Sequence, residues 1–116
     1  MLATFLDGVR DGDLIAPRLM AERLRVPMTR LSRLAHLNRN TMVQRPGSPA
    51  VQEKLGQIAR IIAQAAQLAG DEGRAIIWFK HQPIPGWGKT AEELVEDGRA
   101  DEVLADLERM ADGVYS

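Results

Sequence analysis

The sequence predicts an all-α fold, and three observations carry that prediction. Apolar residues recur at intervals of three and four along residues 49–69 and again along 100–114, the spacing that lines one face of a helix. Helix-start signals stand where such stretches begin: Ser48 before Pro49, and Thr90 with Glu93 three residues on, where a hydroxyl can accept from an orphan N–H of the first turn. The short apolar run from Ala75 to Phe79 fits a strand or a helix by periodicity alone, but no second strand candidate exists to pair with it. It is therefore read as helix.

Taken in order, residues 1–16 carry Phe5, Leu6, Val9, Leu14 and Ile15 among glycines and aspartates, a short helix against the body. Pro17 suits a first helical turn, and Arg18 to Val26 follows with Leu19, Met20 and Leu24 on one side until Pro27 ends it. Thr29 starts a second short helix with Leu31, Leu34 and Ala35 inward and Arg30 and Arg33 outward. A turn at Leu37 and Asn38 leads to a third, R-N-T-M-V-Q, closed by Arg45, Pro46 and Gly47. Three short helices on such brief connections have the proportions of a helix-turn-helix.

The helix from Ser48 to Ala69 is apolar around much of its circumference, which requires neighbours on more than one side and makes it the spine of the fold. G-D-E-G at 70–73 interrupts the chain, and 82–89, with two prolines and two glycines, reads as an ordered loop. The capping box at Thr90 opens a short helix that Gly98 ends; the last helix carries Ala100, Val103, Leu104, Leu107, Met110 and Ala111, with Gly113 as its C-terminal glycine.

Composition narrows the function classes. The 116 residues suffice for one compact domain or two small lobes sharing a core, and 45% hydrophobic with 27% charged residues is the balance of a soluble globular protein. No apolar run approaches the roughly 18 residues of a membrane span, and the acidic N-terminus lacks the basic flank of a signal peptide, so a cytoplasmic protein is expected. With no cysteine, and with His36 and His81 far apart in sequence, thiolate chemistry is excluded and metal ligation has little support. No nucleophile-and-base pair or phosphate-binding glycine loop occurs, and G-W-G-K at 86–89 lacks the rest of a Walker motif. No enzyme activity, cofactor or metal is expected.

Charge is divided unevenly. Residues 1–69 hold ten basic and five acidic side chains, a net plus five, whereas 70–116 hold five basic and eleven acidic, a net minus six. Two regions follow, a basic helix-turn-helix-like and central-helix part over 1–69 and an acidic part over 70–116, suggesting one anionic and one cationic partner.

The ordered set Trp78-Phe79, Pro83, Gly86-Trp87-Gly88, Thr90, Leu94, Gly98, Val103, Leu107 and Gly113 resembles the toxin-binding domain of the MbcA/ParS/Xre family of bacterial antitoxins, over residues 70–116. The resemblance is most like the ParS-type members, and the basic lobe lies where that family carries an Xre-like helix-turn-helix. It implies a type II antitoxin that neutralises a RES-domain toxin, an enzyme that degrades NAD or transfers ADP-ribose from it. It also implies a toxin–antitoxin complex built as a dimer of heterodimers or larger. The family's toxin-blocking segment, carried over by position, is Arg109, Met110, Asp112, Gly113, Val114, Tyr115 and Ser116.

The residues themselves are compatible with that role. A cleft for NAD presents positive charge to a pyrophosphate, and the last helix offers Glu102, Asp106, Glu108 and Asp112. Gly113 would release the final three residues to extend, and Tyr115 would supply a rigid anchor. Trp78, Phe79 and Trp87 are assigned chiefly to packing of the acidic part. For DNA, the third short helix would offer Arg39, Asn40, Thr41, Gln44 and Arg45 to bases and phosphates, with Arg30 and Arg33 on phosphates. Such an operator contact would repress the protein's own operon. The competing expectation is a stand-alone helix-turn-helix regulator with a C-terminal dimerisation or sensing module.

Overall fold

The computed structural model describes residues 2–115, with the side chains of residues 5–113. Among these, eight helices and two two-residue hairpins are formed, so the fold is all-α. Helix α1, Leu2–Val9, leads into a hairpin of β1, Arg10–Asp11, and β2, Leu14–Ile15, with Arg10 opposite Ile15. Gly12 takes φ +66° in its two-residue turn, a conformation that glycine adopts without penalty. The hairpin was not legible as strand, because two residues show no alternation.

Three short helices follow: α2, Pro17–Leu24, α3, Met28–Ala35, and α4, Arg39–Gln44. The sequence expectation that α2 reaches Val26 and stops at Pro27 is corrected. The helix ends at Leu24 because Arg25 turns left-handed at φ +58°, and Pro27 instead serves as N-cap of α3. His36 closes α3 in the same way at φ +56°. Neither is glycine, so each costs about 1–2 kcal/mol in backbone energy. Schellman-type bonds offset that cost: Val26 N–H donates to Ala21 O at 3.0 Å and Leu37 N–H to Ser32 O at 3.0 Å. The Lys80 ammonium adds bonds to the carbonyls of Leu24 at 3.1 Å and Arg25 at 3.0 Å, capping α2 from the acidic half.

The central helix α5 spans Pro49–Ala69, bounded by the Ser48 hydroxyl on Val51 N–H and by Gly70 at φ +96°. At about 1.5 Å per residue its 21 residues cover most of the molecule's 44 Å length. Val51, Leu55, Ile58, Ala59, Ile61, Ile62, Ala63, Ala65 and Ala66 are buried along it. One continuous apolar cluster runs from Phe5, Met20, Leu31 and Met42 through α5 to Phe79, Leu94, Val103 and Leu107, so the two charge halves share a single core.

Helix α6, Glu72–His81, holds Ala75 to Phe79 as helix and is N-capped by Asp71 on Arg74 N–H at 2.7 Å. Residues 82–89, expected to lack regular structure, contribute to a second small hairpin, β3, Pro83–Ile84, with β4, Lys89–Thr90. Pro83 has no N–H to give and tolerates this position because each two-residue strand is an edge. The capping box forms at Thr90 and Glu93 and opens α7, Ala91–Glu96. The last helix, α8, runs Ala100–Tyr115. Gly113 is therefore inside α8 and does not end it; its backbone is not left-handed, and the expected release of the residues after it is corrected.

The expectation that Arg30 faces outward is also corrected. Its guanidinium bonds Glu92 at 2.9 Å and Glu96 at 2.5 Å on α7, with 20% of the side chain exposed. Arg23 similarly reaches Glu72 through two bonds of 3.0 and 2.9 Å, lying where a Cβ on Gly8 would come within 2.6 Å of it. Thus part of the charge contrast between the two halves is satisfied at the seam between them.

Candidate functional site

Helix α8 is placed by its neighbours before it can present anything. The Trp87 indole N–H donates to Asp106 Oδ2 at 3.1 Å, and the Arg99 guanidinium lies 5.1 Å from the Trp87 ring centre. This stitches the β3–β4 turn onto α8, and with Phe79 buried and Trp78 half-buried it puts the aromatics in the packing of this half. Lys89 closes the same region on Asp97 at 2.7 Å, and its ammonium holds the Asp97 carboxyl below the usual carboxylate range.

The acids of α8 do not behave alike. Asp106 is engaged by Trp87 and by Arg109, and Glu102 by Arg99 at 3.4 Å. Glu108 and Asp112 remain exposed, with no ion-pair partner among the described residues. Arg109 thus stands beside Asp106 on its own helix. Met110 is 42% exposed, and Gly113 is exposed. Val114 and Tyr115 continue the helix, their side chains lying outside the described residues, as does Ser116 altogether.

Beside Met110 lies an apolar groove of about 520 Å³ between α5, α6 and α8, walled by Leu68, Ile77, Trp78 and Leu107, with Arg74 and Gln82 at its edge. Leu68 and Leu107 are shared with a second depression that carries Glu108 and Asp112. Leu68 is 37% exposed and Ile77 62%, large apolar surfaces that stay wet unless something covers them. Sequence reading missed these two. A signal existed for Ile77: five consecutive apolar residues from Ala75 to Phe79 cannot all face inward on a helix of 3.6 residues per turn.

No family model matches this chain. Nor does any curated protein or solved structure match it significantly.

The residues expected to meet DNA are divided by the fold. Arg33, Arg39, Asn40, Gln44 and Arg45 are exposed and Thr41 is half-buried, but Arg30 is committed to α7. Burial works against the Arg30 charge, yet the hydrogen bonds it donates to Glu92 and Glu96, with the charge of those carboxylates, outweigh it and raise its pKa further. Its Nε and one terminal nitrogen are taken by these two carboxylates, whose charge opposes a phosphate at the same guanidinium. His36 meets α7 through its Nε2–H, which donates to Val95 O at 3.2 Å. No helix among the described residues is long and apolar enough to cross a membrane.

Proposed function

We propose that this chain is the antitoxin of a toxin–antitoxin pair, binding an NAD-using RES-domain toxin through its acidic half and obstructing the toxin's active site with the end of α8. The observation that carries the reading is the juxtaposition on α8 of Met110, at the rim of an exposed apolar groove, with Glu108 and Asp112, two exposed carboxylates left unpaired within the described chain. Apolar surface of this kind anchors a partner, and carboxylates beside it suit a cleft built to hold a pyrophosphate. The resemblance of residues 70–116 to the antitoxin family supports the same reading from the sequence side. Anchoring and obstruction are separate tasks here. The groove residues Leu68, Ile77 and Met110 hold the partner, and residues from Asp112 onward obstruct it.

The test is co-purification with the RES-type product of a neighbouring reading frame, scored for binding and for NAD consumption. Removal of residues 113–116 should leave the complex intact while NAD consumption resumes. Ile77→Asp or Met110→Asp should instead weaken the complex about thirtyfold or more, the loss expected for a buried interface anchor. Full protection by the truncated protein would refute obstruction by this segment. A wild-type protein that ignores every such toxin would leave the stand-alone regulator as the better reading.

A further inference from the structure

Five large apolar side chains are prominently exposed among the described residues, and the groove beside α8 accounts for Leu68, Ile77 and Met110. The other two, Leu14 at 44% and Val43 at 57%, border a second groove between the β1–β2 hairpin, the start of α2, and α4. Its volume is about 540 Å³, within the roughly 300–1,000 Å³ of small-molecule sites. Buried Ile15, Pro17 and Met42 line it from the core, and half-buried Leu19 and Met28 complete the apolar wall. No aromatic ring contributes. Aliphatic and thioether side chains of this kind adapt to a flexible chain rather than to a flat ring.

The groove is held open by a fixed frame. Gln52 accepts from Ile15 N–H at 2.9 Å and donates to Ile15 O at 2.9 Å and to Pro46 O at 2.8 Å, so one amide fixes both the hairpin and the chain after α4. The same bonds occupy both backbone groups of Ile15, so an extended peptide cannot add to that edge of the hairpin as a further strand.

Three charged side chains reach the groove, Asp11 from the hairpin, Arg18 from the first turn of α2 and Arg39 from the first turn of α4. Among the described residues none of them has an ion-pair partner, whereas Arg23 and Arg30 of the same half are both paired. Two cations against one anion leave the lining at plus one, complementary to a single negative charge. A nucleic acid fits poorly, because Asp11 would repel phosphates and Leu14 and Val43 would be pressed against a hydrated backbone.

We propose that this groove binds a small amphipathic monoanion, an unbranched aliphatic carboxylate, whose chain covers Leu14 and Val43 and whose carboxylate is held by Arg18 and Arg39. Asp11 makes the site selective. It opposes a second negative charge, so a phosphate monoester of the same chain length, which carries more than one at neutral pH, binds less well. The inference stands independently of the toxin reading.

The experiment titrates the full chain with octanoate, decanoate, decyl phosphate and decyltrimethylammonium, each below its micelle-forming concentration, by calorimetry and by methyl NMR. Decanoate should bind and shift the methyls of Leu14, Val43 and Met28. It should bind about tenfold tighter than octanoate, the gain for burying two more methylenes, and tighter than the phosphate or the cation. Arg18→Gln and Arg39→Gln should each weaken decanoate about five- to tenfold, as one charge-assisted hydrogen bond is lost at an exposed position. Val43→Glu should weaken it at least as much, and Asp11→Asn should favour decyl phosphate more than decanoate. All four positions are exposed, so the circular dichroism spectrum should not change. Equal affinity for the cation, indifference to chain length, shifts confined to the groove beside α8, or arginine variants that bind like wild type would each overturn the proposal. So would a groove covered instead by a second copy, seen as the same methyl shifts on raising protein concentration alone, or by a promoter duplex whose binding is lost on Val43→Glu.

Discussion

Replacing Arg30 with methionine tests the seam most directly, because methionine keeps most of the apolar stem while removing the guanidinium. Two charge-assisted bonds disappear, to Glu92 and Glu96. Their losses are unequal. Glu96, with 37% of its side chain exposed, returns to water, so that pair is worth less than about 1 kcal/mol. Glu92, with 12% exposed, stays desolvated and unpaired, costing about 1.5–3 kcal/mol. The sum is about 2–3 kcal/mol, or near 10 °C in Tm for a chain of this size. Urea unfolding of wild type, Arg30→Met, Glu92→Met and the double variant would measure it. The double variant should recover part of the loss, with a coupling of about 1–2 kcal/mol, since a matched apolar pair replaces a partly buried ion pair at little net cost. An Arg30→Met cost below about 0.5 kcal/mol, or strict additivity, would refute the claim that this contact fastens the two halves.

Two further outcomes follow from single side chains. Gln52→Ala should destabilise by about 2 kcal/mol through loss of its bonds to Ile15 and Pro46, and Gln52→Glu by at least as much because a carboxylate cannot donate to either carbonyl; denaturant midpoints would check both. Trp87→Phe should cost about 1–2 kcal/mol by removing the bond to Asp106 and weakening the Arg99 contact, and a thermal melt unchanged from wild type would contradict the stitching of the β3–β4 turn to α8.

What the sequence disclosed and what it hid divide along physical lines. Bounds set by local chemistry were legible: Ser48 and Pro49 start α5, Ala69 and Gly70 end it, and Thr90 with Glu93 opens α7. Bounds set by distant partners were not. Arg25 and His36 end their helices without glycine, and Arg25 is helped by Lys80, which lies 55 residues away. The β1–β2 and β3–β4 pairs span two residues each, too few for a period of two to show. Gly113 looked like a stop because glycine is poor in helices, but a single glycine costs only about 1 kcal/mol there and the helix continues.

The candidate site was half legible. Met110, Glu108 and Asp112 lie on a recognisable amphipathic helix, whereas the groove beside them needs α5 and α6 brought alongside, which no local pattern encodes. Charge was misleading in one respect. Seven arginines between Pro17 and Gln52 suggested a free basic face, but two of them, Arg23 and Arg30, turn toward carboxylates of the other half.

That inward turn bears on how fast partners can meet the protein. Setting aside Arg23 and Arg30 takes the basic half from plus five to plus three, and setting aside Glu72, Glu92 and Glu96 takes the acidic half from minus six to minus three. The long-range field offered to an approaching molecule is therefore roughly half of what the chain's composition implies. Charge steering accelerates encounter only in proportion to such a field, and salt screens it beyond about 10 Å. Capture of a partner by this molecule should thus vary gently with ionic strength, with contact at the apolar grooves deciding how long the partner stays.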